Sequence, residues 1–148
     1  MEKDWLLNWI KDNKSIHVMN KENRIFTSAI VGGCLPIALG VALGLKINNS
    51  KDKVYVFCGD MTSQTGIFHE CFKYAVNHKL PIKFIIENNF LSTNTDTAEV
   101  WGVSRDDLEN FFEMQKTKYP NYFDYITYER VFPHYGTGRF ITKLWEKK

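Results

Sequence analysis

Two short apolar runs, each followed at once by polar residues, constrain the fold of this chain more than any other feature. Val54 to Cys58 is the first run, and Gly59 and Asp60 follow it. Ile82 to Ile86 is the second, and residues 87–89, Glu-Asn-Asn, follow it. Nearly continuous apolar runs of this length are typical of strands that are buried on both faces of a sheet.

The segment between the two runs has a helical pattern. Within Thr65 to Asn77, apolar side chains recur near the spacing of one helix face. Strand, helix and strand within about thirty residues form a βαβ unit, which implies a parallel sheet. The chain has 148 residues, enough for a sizeable core, so we predict a single α/β domain over residues 1–148.

Other local patterns predict the remaining elements. They are a short helix at Asp4 to Lys11, a helix rich in small residues from near Pro36 to Asn48, a helix capped by Ser104, a third strand at Tyr125 to Val131 and an edge strand at Phe140 to Trp145. Residues 15–28 and 92–97 are polar and predict irregular connections.

Composition excludes several classes of function. The formal net charge is +2, and the lysines are spread along the chain, so no basic patch indicates a nucleic-acid interface. No apolar run approaches the roughly 20 residues that a membrane helix needs, and the charged N-terminus does not fit a secretory signal. Cys34, Cys58 and Cys71 lack CxxC spacing and predict buried free thiols in a reducing, cytoplasmic compartment.

The polar residues after the two apolar runs predict a ligand site. The carboxyl ends of neighbouring parallel strands meet at one edge of a sheet, so Asp60 and Asn89 are expected to face each other. Carboxylate, amide and carbonyl oxygens are ligands that Mg²⁺ accepts while keeping positions for phosphate and water. The N-terminus of the helix expected after Asp60 would favour a phosphate at the same place. Together these features indicate a magnesium-bridged diphosphate.

Simpler interpretations of the same residues remain open. Asp60 could cap the helix that follows it, and Asn88 could be a structural turn residue rather than a ligand. An unrelated α/β nucleotide-binding enzyme could also use Asp60 with magnesium. That alternative is disfavoured because neither GxxxxGK[ST] nor GxGxxG occurs in the sequence.

The spacing of the polar residues resembles a known signature. Gly59-Asp60-Met61 is followed by 26 residues, 62 to 87, and then by Asn88-Asn89. With the block from about residue 15 to 101, including SIHVMNKENRIFTSAIVGGCLPIALGVALGLK and LPIKFIIENNFLSTNTDT, this resembles the diphosphate-binding domain of the alpha subunit of thiamine-diphosphate-dependent 2-oxo acid dehydrogenases and of transketolase-like enzymes. TYERVFPH resembles the Tyr-Arg-x-x-Gly-His of that family more loosely.

The resemblance implies a fold and a set of site residues. The fold is a three-layer α/β sandwich with a mostly parallel sheet flanked by helices, the thiamine-diphosphate-binding fold. The implied metal ligands are Asp60, the Asn89 side chain and the Leu91 carbonyl. The other implied cofactor contacts are Gly59, Met61 and Thr62 at the diphosphate and Ala29 and Val31 at the aminopyrimidine, with His17 and His134 as active-site histidines.

The resemblance also implies an activity and partners. The reaction would be cleavage or formation of a C–C bond next to a carbonyl, in a 2-oxo acid or ketose-like substrate, with thiamine diphosphate and Mg²⁺. A separate beta-type chain carrying the pyrimidine domain would complete a homodimer or heterotetramer, and the chain alone would be inactive. No nucleic-acid or membrane partner is expected. The alternative is a non-catalytic regulatory or cofactor-binding subunit of the same fold.

The sequence departs from the family pattern at two places. Met61 stands where the family has a second glycine, and a methionine would be strained there if the position needed a positive φ. We expect the backbone to accommodate it. The family's Tyr-Arg pair, which grips the diphosphate, has no counterpart in residues 1–14, and Arg24 is the candidate for supplying a charge instead.

Overall fold

The computed structural model describes residues 3–12 and 17–131 of the chain. Its helices are α1 (Lys3–Lys11), α2 (Cys34–Ile47), α3 (Asp60–Ser63), α4 (Gly66–Asn77), α5 (Thr97–Trp101) and α6 (Arg105–Lys118). Its strands are β1 (Met19–Asn20), β2 (Ile25–Phe26), β3 (Val54–Gly59), β4 (Ile82–Asn88), β5 (Leu91–Ser92), β6 (Thr95–Asp96) and β7 (Phe123–Thr127).

The central sheet has three parallel strands in the order β3-β4-β7. Val54 is paired with Ile82 at one end of β3, and Gly59 is paired with Glu87 at the other. On β7, Thr127 is paired with Asn88. This register aligns the carboxyl ends of all three strands, so the residues after each strand share one edge of the sheet.

The core lies between one face of this sheet and the helices. Phe84 of β4 and Phe123 of β7 are fully buried and contact aromatic side chains of α4 and α6, with ring centroids 5.5 Å apart for Phe68 and Phe84 and 6.2 Å apart for Phe112 and Phe123. Leu35 and Ala42 of α2, and Val56 of β3, belong to the same cluster. The predicted α/β fold class, with a parallel sheet flanked by helices, is confirmed.

The opposite face of the sheet is more open. Tyr55, Phe57 and Ile126 are 57%, 55% and 57% exposed, respectively, and Tyr55 and Phe57 lie on either side of the buried Val56 along β3. Lys83 and Asp124 lie on the same face and form a salt bridge of 3.0 Å. The expectation that the first run is buried on both faces is therefore wrong for β3, because Tyr55 and Phe57 remain exposed in the described part of the chain.

Most predicted elements are confirmed, with shifted ends. The helix expected from near Pro36 begins at Cys34, and Ser104 caps α6 with a capping box that includes Asp107. The third strand was predicted at Tyr125 to Val131 but covers Phe123–Thr127. The irregular connections contain two-residue strands, β1 with β2 and β5 with β6. The edge strand predicted at residues 140–145 lies outside the described residues.

Two further observations concern α1 and membranes. The predicted N-terminal helix is confirmed as Lys3–Lys11, with the rings of Trp5 and Trp9 in contact at 5.8 Å. Within residues 3–12 and 17–131, every helix falls short of the length and hydrophobicity that crossing a bilayer requires.

Candidate functional site

Asp60 is fully buried at the carboxyl end of β3. Only one of its two carboxylate oxygens has a hydrogen-bond partner among the described residues. Oδ1 accepts a long hydrogen bond of 3.5 Å from the backbone N–H of Asn89. Oδ2 is buried and has no hydrogen-bond partner among the residues that the structure describes. An unpaired oxygen of this kind destabilises a protein unless a cation or donor from outside the chain pairs with it.

The electrostatics of Asp60 reflect this burial. Burial raises the pKa of the Asp60 carboxyl above its usual value, and the Thr97 hydroxyl and the Asn89 N–H offset part of the rise. Thr97 Oγ1 is itself buried without a hydrogen-bond partner in the described part of the chain. The hydroxyl therefore lies close enough to Asp60 to lower the pKa of its carboxyl.

The capping interpretation of Asp60 is wrong. Asp60 is the first residue of α3, whose N-cap is Gly59. The next helix, α4, is capped by Thr65, and neither cap is a side-chain hydrogen bond. The helix predicted at Thr65 to Asn77 is observed as α4, Gly66–Asn77, and the four-residue helix α3 lies between it and β3. The Asp60 carboxylate thus has no structural role as a helix cap.

Asn88 and Asn89 have different surroundings. Asn88 is fully buried, its Nδ2 donates to Thr127 Oγ1 at 3.2 Å, and its Oδ1 accepts from the Phe90 N–H at 3.3 Å. The interpretation of Asn88 as a structural turn residue is confirmed. Asn89 is only partly buried, and its backbone N–H lies against Asp60, so the predicted meeting of Asp60 and Asn89 is observed.

Leu91 lies next to α3, the helix that begins at Asp60. It begins strand β5, which packs against α3, and its N–H donates to Asn89 Oδ1 at 3.0 Å. The chain therefore turns back on itself between Asn89 and Leu91, next to the helix that starts with Asp60. One carboxylate, one amide oxygen and a loop carbonyl are available on neighbouring segments, and these are hard oxygen donors suited to Mg²⁺.

A cavity of about 200 Å³ opens beside this cluster. Four of the predicted cofactor-binding residues line it: Ala29, Val31, Gly59 and Thr62. Gly32 makes the turn that carries Ala29 and Val31 to the cavity, with φ +74°, and a Cβ at this position would lie 2.7 Å from Ile67 Cγ2. Only glycine fits both the backbone conformation and the space at this turn.

A comparison with known proteins agrees with this geometry. Residues 5–103 match the family model described as "Dehydrogenase E1 component", which is more than half of the chain. The chain belongs to the dehydrogenase E1 component family. The resemblance to the alpha subunits of thiamine-diphosphate-dependent 2-oxo acid dehydrogenases is thereby confirmed.

The similar relatives within this family are alpha subunits. Over 85 residues the chain is 35% identical to a pyruvate dehydrogenase E1 component subunit alpha of Rickettsia conorii, which covers 57% of this chain and 26% of that protein. Over 74 residues it is 39% identical to the 2-oxoisovalerate dehydrogenase subunit alpha of Bacillus subtilis, which covers 49% and 22%. The chain spans about a quarter of the length of the curated relatives it matches.

Met61, the departure from the family signature, is not strained. It lies inside α3 and is not among the non-glycine residues with positive φ, so the expected accommodation by the backbone is confirmed. Its Sδ accepts a hydrogen bond of 3.1 Å from Trp101 Nε1 on α5. The side chain that replaces the family's glycine therefore joins α3 to α5.

The remaining predicted residues are less informative. His17 is exposed and lies two residues before β1, and its role stays a prediction. His134 lies outside the described residues. Arg24 pairs with Asp52 at 3.0 Å, and Asp52 precedes the amino end of β3, so Arg24 is at the end of the strand opposite to Asp60. The suggestion that Arg24 supplies a charge to the site is therefore wrong.

The cysteines near the site are free thiols, as predicted. Only Cys71 is fully buried, whereas Cys34 and Cys58 are partly buried and line the cavity. Burial, together with the carboxylates of Glu87 and Asp60, raises the pKa of the Cys58 thiol to about 12. Cys58 is therefore protonated at neutral pH and is not a nucleophile.

Sequence reasoning missed several residues of this edge. Tyr128 follows β7, and its Oη accepts from Asn89 Nδ2 at 3.2 Å. The rule that carboxyl ends of parallel strands share an edge could have found it, had the end of the third strand been placed correctly. Thr97 and Trp101 had no comparable signal, because their approach to Asp60 and Met61 depends on how the loop after β4 folds back.

Proposed function

We propose that this chain binds the diphosphate of thiamine diphosphate through Mg²⁺ at the carboxyl ends of β3 and β4. The observation that carries the proposal is the fully buried Asp60 carboxylate, whose Oδ2 has no partner in the described part of the chain. A divalent cation at Oδ2 would remove the cost of burying this unpaired oxygen. Asn89 and Leu91 are close enough to contribute further oxygen ligands.

The donor set favours Mg²⁺ over transition metals. No group of three or more His, Cys, Asp or Glu that could hold a metal occurs among the described residues. One carboxylate with amide and carbonyl oxygens suits a hard cation that keeps sites for phosphate and water. The proposed metal ligands are Asp60, Asn89 and the Leu91 carbonyl, and the proposed cofactor contacts are Gly59, Met61, Thr62, Ala29 and Val31.

The proposed reaction follows from membership of the family. The substrate is a 2-oxo acid, or a ketose in a transketolase-like variant, and a C–C bond next to its carbonyl is cleaved or formed. The cofactor, when bound, supplies the carbanion stabilisation that this chemistry requires. This chain would hold the diphosphate in place and, through His17 and His134, contact the substrate.

The proposed assembly requires a second chain. Residues 1–148 would form a single diphosphate-binding domain. A separate beta-type chain would contribute the pyrimidine domain in a heterotetramer, and a homodimer is the other assembly expected for this fold. The chain alone would turn over little or no substrate. The free thiols of Cys34, Cys58 and Cys71 fit a reducing compartment such as the cytoplasm, where we expect the protein to act.

One residue favours a second candidate function. Met61 replaces the glycine of the family signature with a side chain that is tied to Trp101. A non-catalytic or regulatory subunit that keeps the fold and the cofactor would tolerate such a replacement. The partner chain distinguishes the two candidates, because a catalytic subunit gains activity on a 2-oxo acid when a beta-type chain is added, whereas a regulatory subunit does not.

Calorimetric titration with thiamine diphosphate, with and without Mg²⁺, tests the binding proposal. We expect Mg²⁺-dependent binding by the wild type and its loss in Asp60→Ala and in the isosteric Asp60→Asn. Asp52→Ala is the matched control, since Asp52 lies before the other end of β3 and its side chain is 54% exposed. Binding that does not need Mg²⁺, or that survives in Asp60→Asn, would overturn the proposal.

A further inference from the structure

The segment that leaves β7 makes repeated contacts with the loop that follows β4. Thr127 Oγ1 accepts from Asn88 Nδ2 at 3.2 Å, and the backbone N–H of Tyr128 donates to the Asn88 carbonyl at 2.9 Å. These bonds extend the sheet pairing of β4 and β7 by one residue beyond Thr127. They hold residues 127–130 directly beside the loop that presents Asn89 and Leu91.

Two hydrogen bonds hold the Asn89 side chain, one to Tyr128 and one from Leu91. Asn89 Nδ2 donates to Tyr128 Oη at 3.2 Å, and Asn89 Oδ1 accepts from the Leu91 N–H at 3.0 Å. Rotating the amide by 180° would place its NH₂ group against the Leu91 N–H, so that both groups would be donors. The carbonyl oxygen has two lone pairs, and the one not used by Leu91 can serve a cation.

Arg130 holds the tip of the hairpin formed by β5 and β6. Its guanidinium donates to the Thr93 carbonyl and, at 3.2 Å, to Asn94 Oδ1. Thr93 has a φ of 56°, a left-handed conformation that a β-branched residue rarely adopts, so contacts from outside the hairpin are needed to hold it. Leu91 is paired with Asp96 in the same hairpin, so fixing the tip also fixes Leu91.

We propose that Tyr128 and Arg130 are positioning residues that hold the loop of residues 89–94 in the geometry needed to bind the metal. Tyr128 anchors the Nδ2 end of the Asn89 amide, whose orientation the Leu91 N–H selects, and Arg130 keeps the hairpin carrying Leu91 in place. The inference rests on the proposed metal site. It assigns a role in that site to the end of the third strand, which supplies no ligand itself.

Mg²⁺ and Ca²⁺ differ in how strictly they require a fixed ligand geometry, and this difference makes the inference testable. Mg²⁺ demands near-ideal octahedral geometry, whereas Ca²⁺ accepts more ligands in flexible arrangements. If Tyr128 acts by orienting a ligand, its removal will impair binding with Mg²⁺ more than with Ca²⁺. If Tyr128 only contributes to folding, its removal will impair both equally.

Titration of the whole chain with thiamine diphosphate, in Mg²⁺ and in Ca²⁺, separates these cases. In Tyr128→Phe and Arg130→Gln we expect Mg²⁺-dependent affinity to fall at least about tenfold, as is usual for residues that orient metal ligands, and Ca²⁺-dependent affinity to fall less than about threefold. Tyr125→Phe is the matched control, because its Oη bonds Glu113 at 3.0 Å on α6. Arg24→Gln is the control for Arg130, because Arg24 pairs with Asp52.

Hydrogen exchange of the ligand-free protein gives a second readout. Amides of residues 89–93 should exchange faster in Tyr128→Phe and Arg130→Gln than in the wild type, and should not change in Tyr125→Phe. Metal-dependent binding by the wild type with no loss in Tyr128→Phe would overturn this inference and leave the proposed function standing. Equal losses with both cations would also overturn it. A wild type that binds no thiamine diphosphate with either cation would overturn both proposals.

Discussion

Two aspartates of the central sheet have opposite environments. Asp124, within β7, accepts from Lys116 Nζ at 2.9 Å and from Lys83 Nζ at 3.0 Å. The hydrogen bond from Lys116, reinforced by Lys83, lowers the pKa of Asp124 to about 2. Asp60, directly after β3, is more deeply buried and has no ion pair with a lysine or arginine among the described residues, and burial raises the pKa of its carboxyl.

The difference in pairing indicates that Asp124 is a structural carboxylate and that the Asp60 carboxylate is available to a ligand. The two lysines satisfy Asp124 within the chain, so its charge stabilises the folded protein by itself. Asp60 destabilises the ligand-free protein, since its charge is buried with no ion pair in the described residues and with only partial compensation from Thr97 and the Asn89 N–H. This contrast supports the proposal of a metal site at Asp60 rather than at Asp124.

The largest expected effect comes from neutralising Asp60. Asp60→Asn should stabilise the ligand-free protein at pH 7 by roughly 1–3 kcal/mol, because the substitution removes a buried charge that has no ion pair in the described residues. Urea unfolding at equilibrium measures this change. The control Asp52→Asn, at an exposed ion pair, should change the free energy of unfolding by about 1 kcal/mol or less. A destabilised Asp60→Asn protein would contradict the conclusion that Asp60, unlike Asp124, destabilises the ligand-free protein.

The difference in the free energy of unfolding between the wild type and Asp60→Asn should also depend on pH. Because the folded state raises the pKa of Asp60, the folded wild type binds a proton more tightly than the unfolded chain does. The wild type therefore gains stability relative to Asp60→Asn as the pH falls through the raised pKa. The advantage of Asp60→Asn should shrink between neutral pH and about pH 4, the unfolded value of an aspartate.

Met61→Gly tests whether the neighbour of Asp60 is needed for packing or for ligand binding. Glycine in a helix costs about 0.5–1 kcal/mol, and the contact with Trp101 is lost as well, so we expect a destabilisation of about 1 kcal/mol. Thiamine-diphosphate affinity in Mg²⁺ should change by less than about threefold, because the negative φ of Met61 does not require glycine. A large gain in affinity would show that Met61 obstructs the site.

Asp124→Asn should have the opposite sign to Asp60→Asn. We expect it to destabilise the protein by about 1 kcal/mol at pH 7, a value reduced for the partial exposure of the carboxylate. Because the folded state lowers the pKa of Asp124 to about 2, its stabilising effect is present above about pH 4 and is lost as the pH falls toward 2. Unfolding curves of the two proteins should therefore converge in that range.

The smallest expected effects distinguish the two lysines. The hydrogen bond from Lys116 is the largest single cause of the lowered pKa of Asp124, so we expect Lys116→Gln to raise that pKa more than Lys83→Gln does. Both substitutions should cost only a few tenths of a kcal/mol, as is usual for exposed ion pairs. Titration of the Asp124 carboxyl carbon by NMR checks the order. Equal shifts would mean that the two lysines contribute alike.

Much of this site was predictable from local sequence. The apolar runs predicted β3 and β4, the helical pattern between them predicted α4, and parallel pairing then required Asp60 and Asn89 to meet at one edge. The third strand was misplaced at both ends, Tyr125 to Val131 instead of Phe123–Thr127, because its bounds are set by pairing with β4 and not by a local pattern. This error concealed Tyr128.

Local sequence alone set the order of β3, α4 and β4 and showed which polar residues follow each strand. Periodicity and turn residues are local properties of the chain, so no knowledge of packing was needed. The tertiary structure decided which of these residues are paired. Lys83 and Lys116 reach Asp124 from β4 and α6, and Thr97 and Asn89 approach Asp60 from the loop after β4. Burial and pairing depend on segments that are distant along the chain, so only their packing reveals that Asp60 Oδ2 is left without a partner in the described part of the protein.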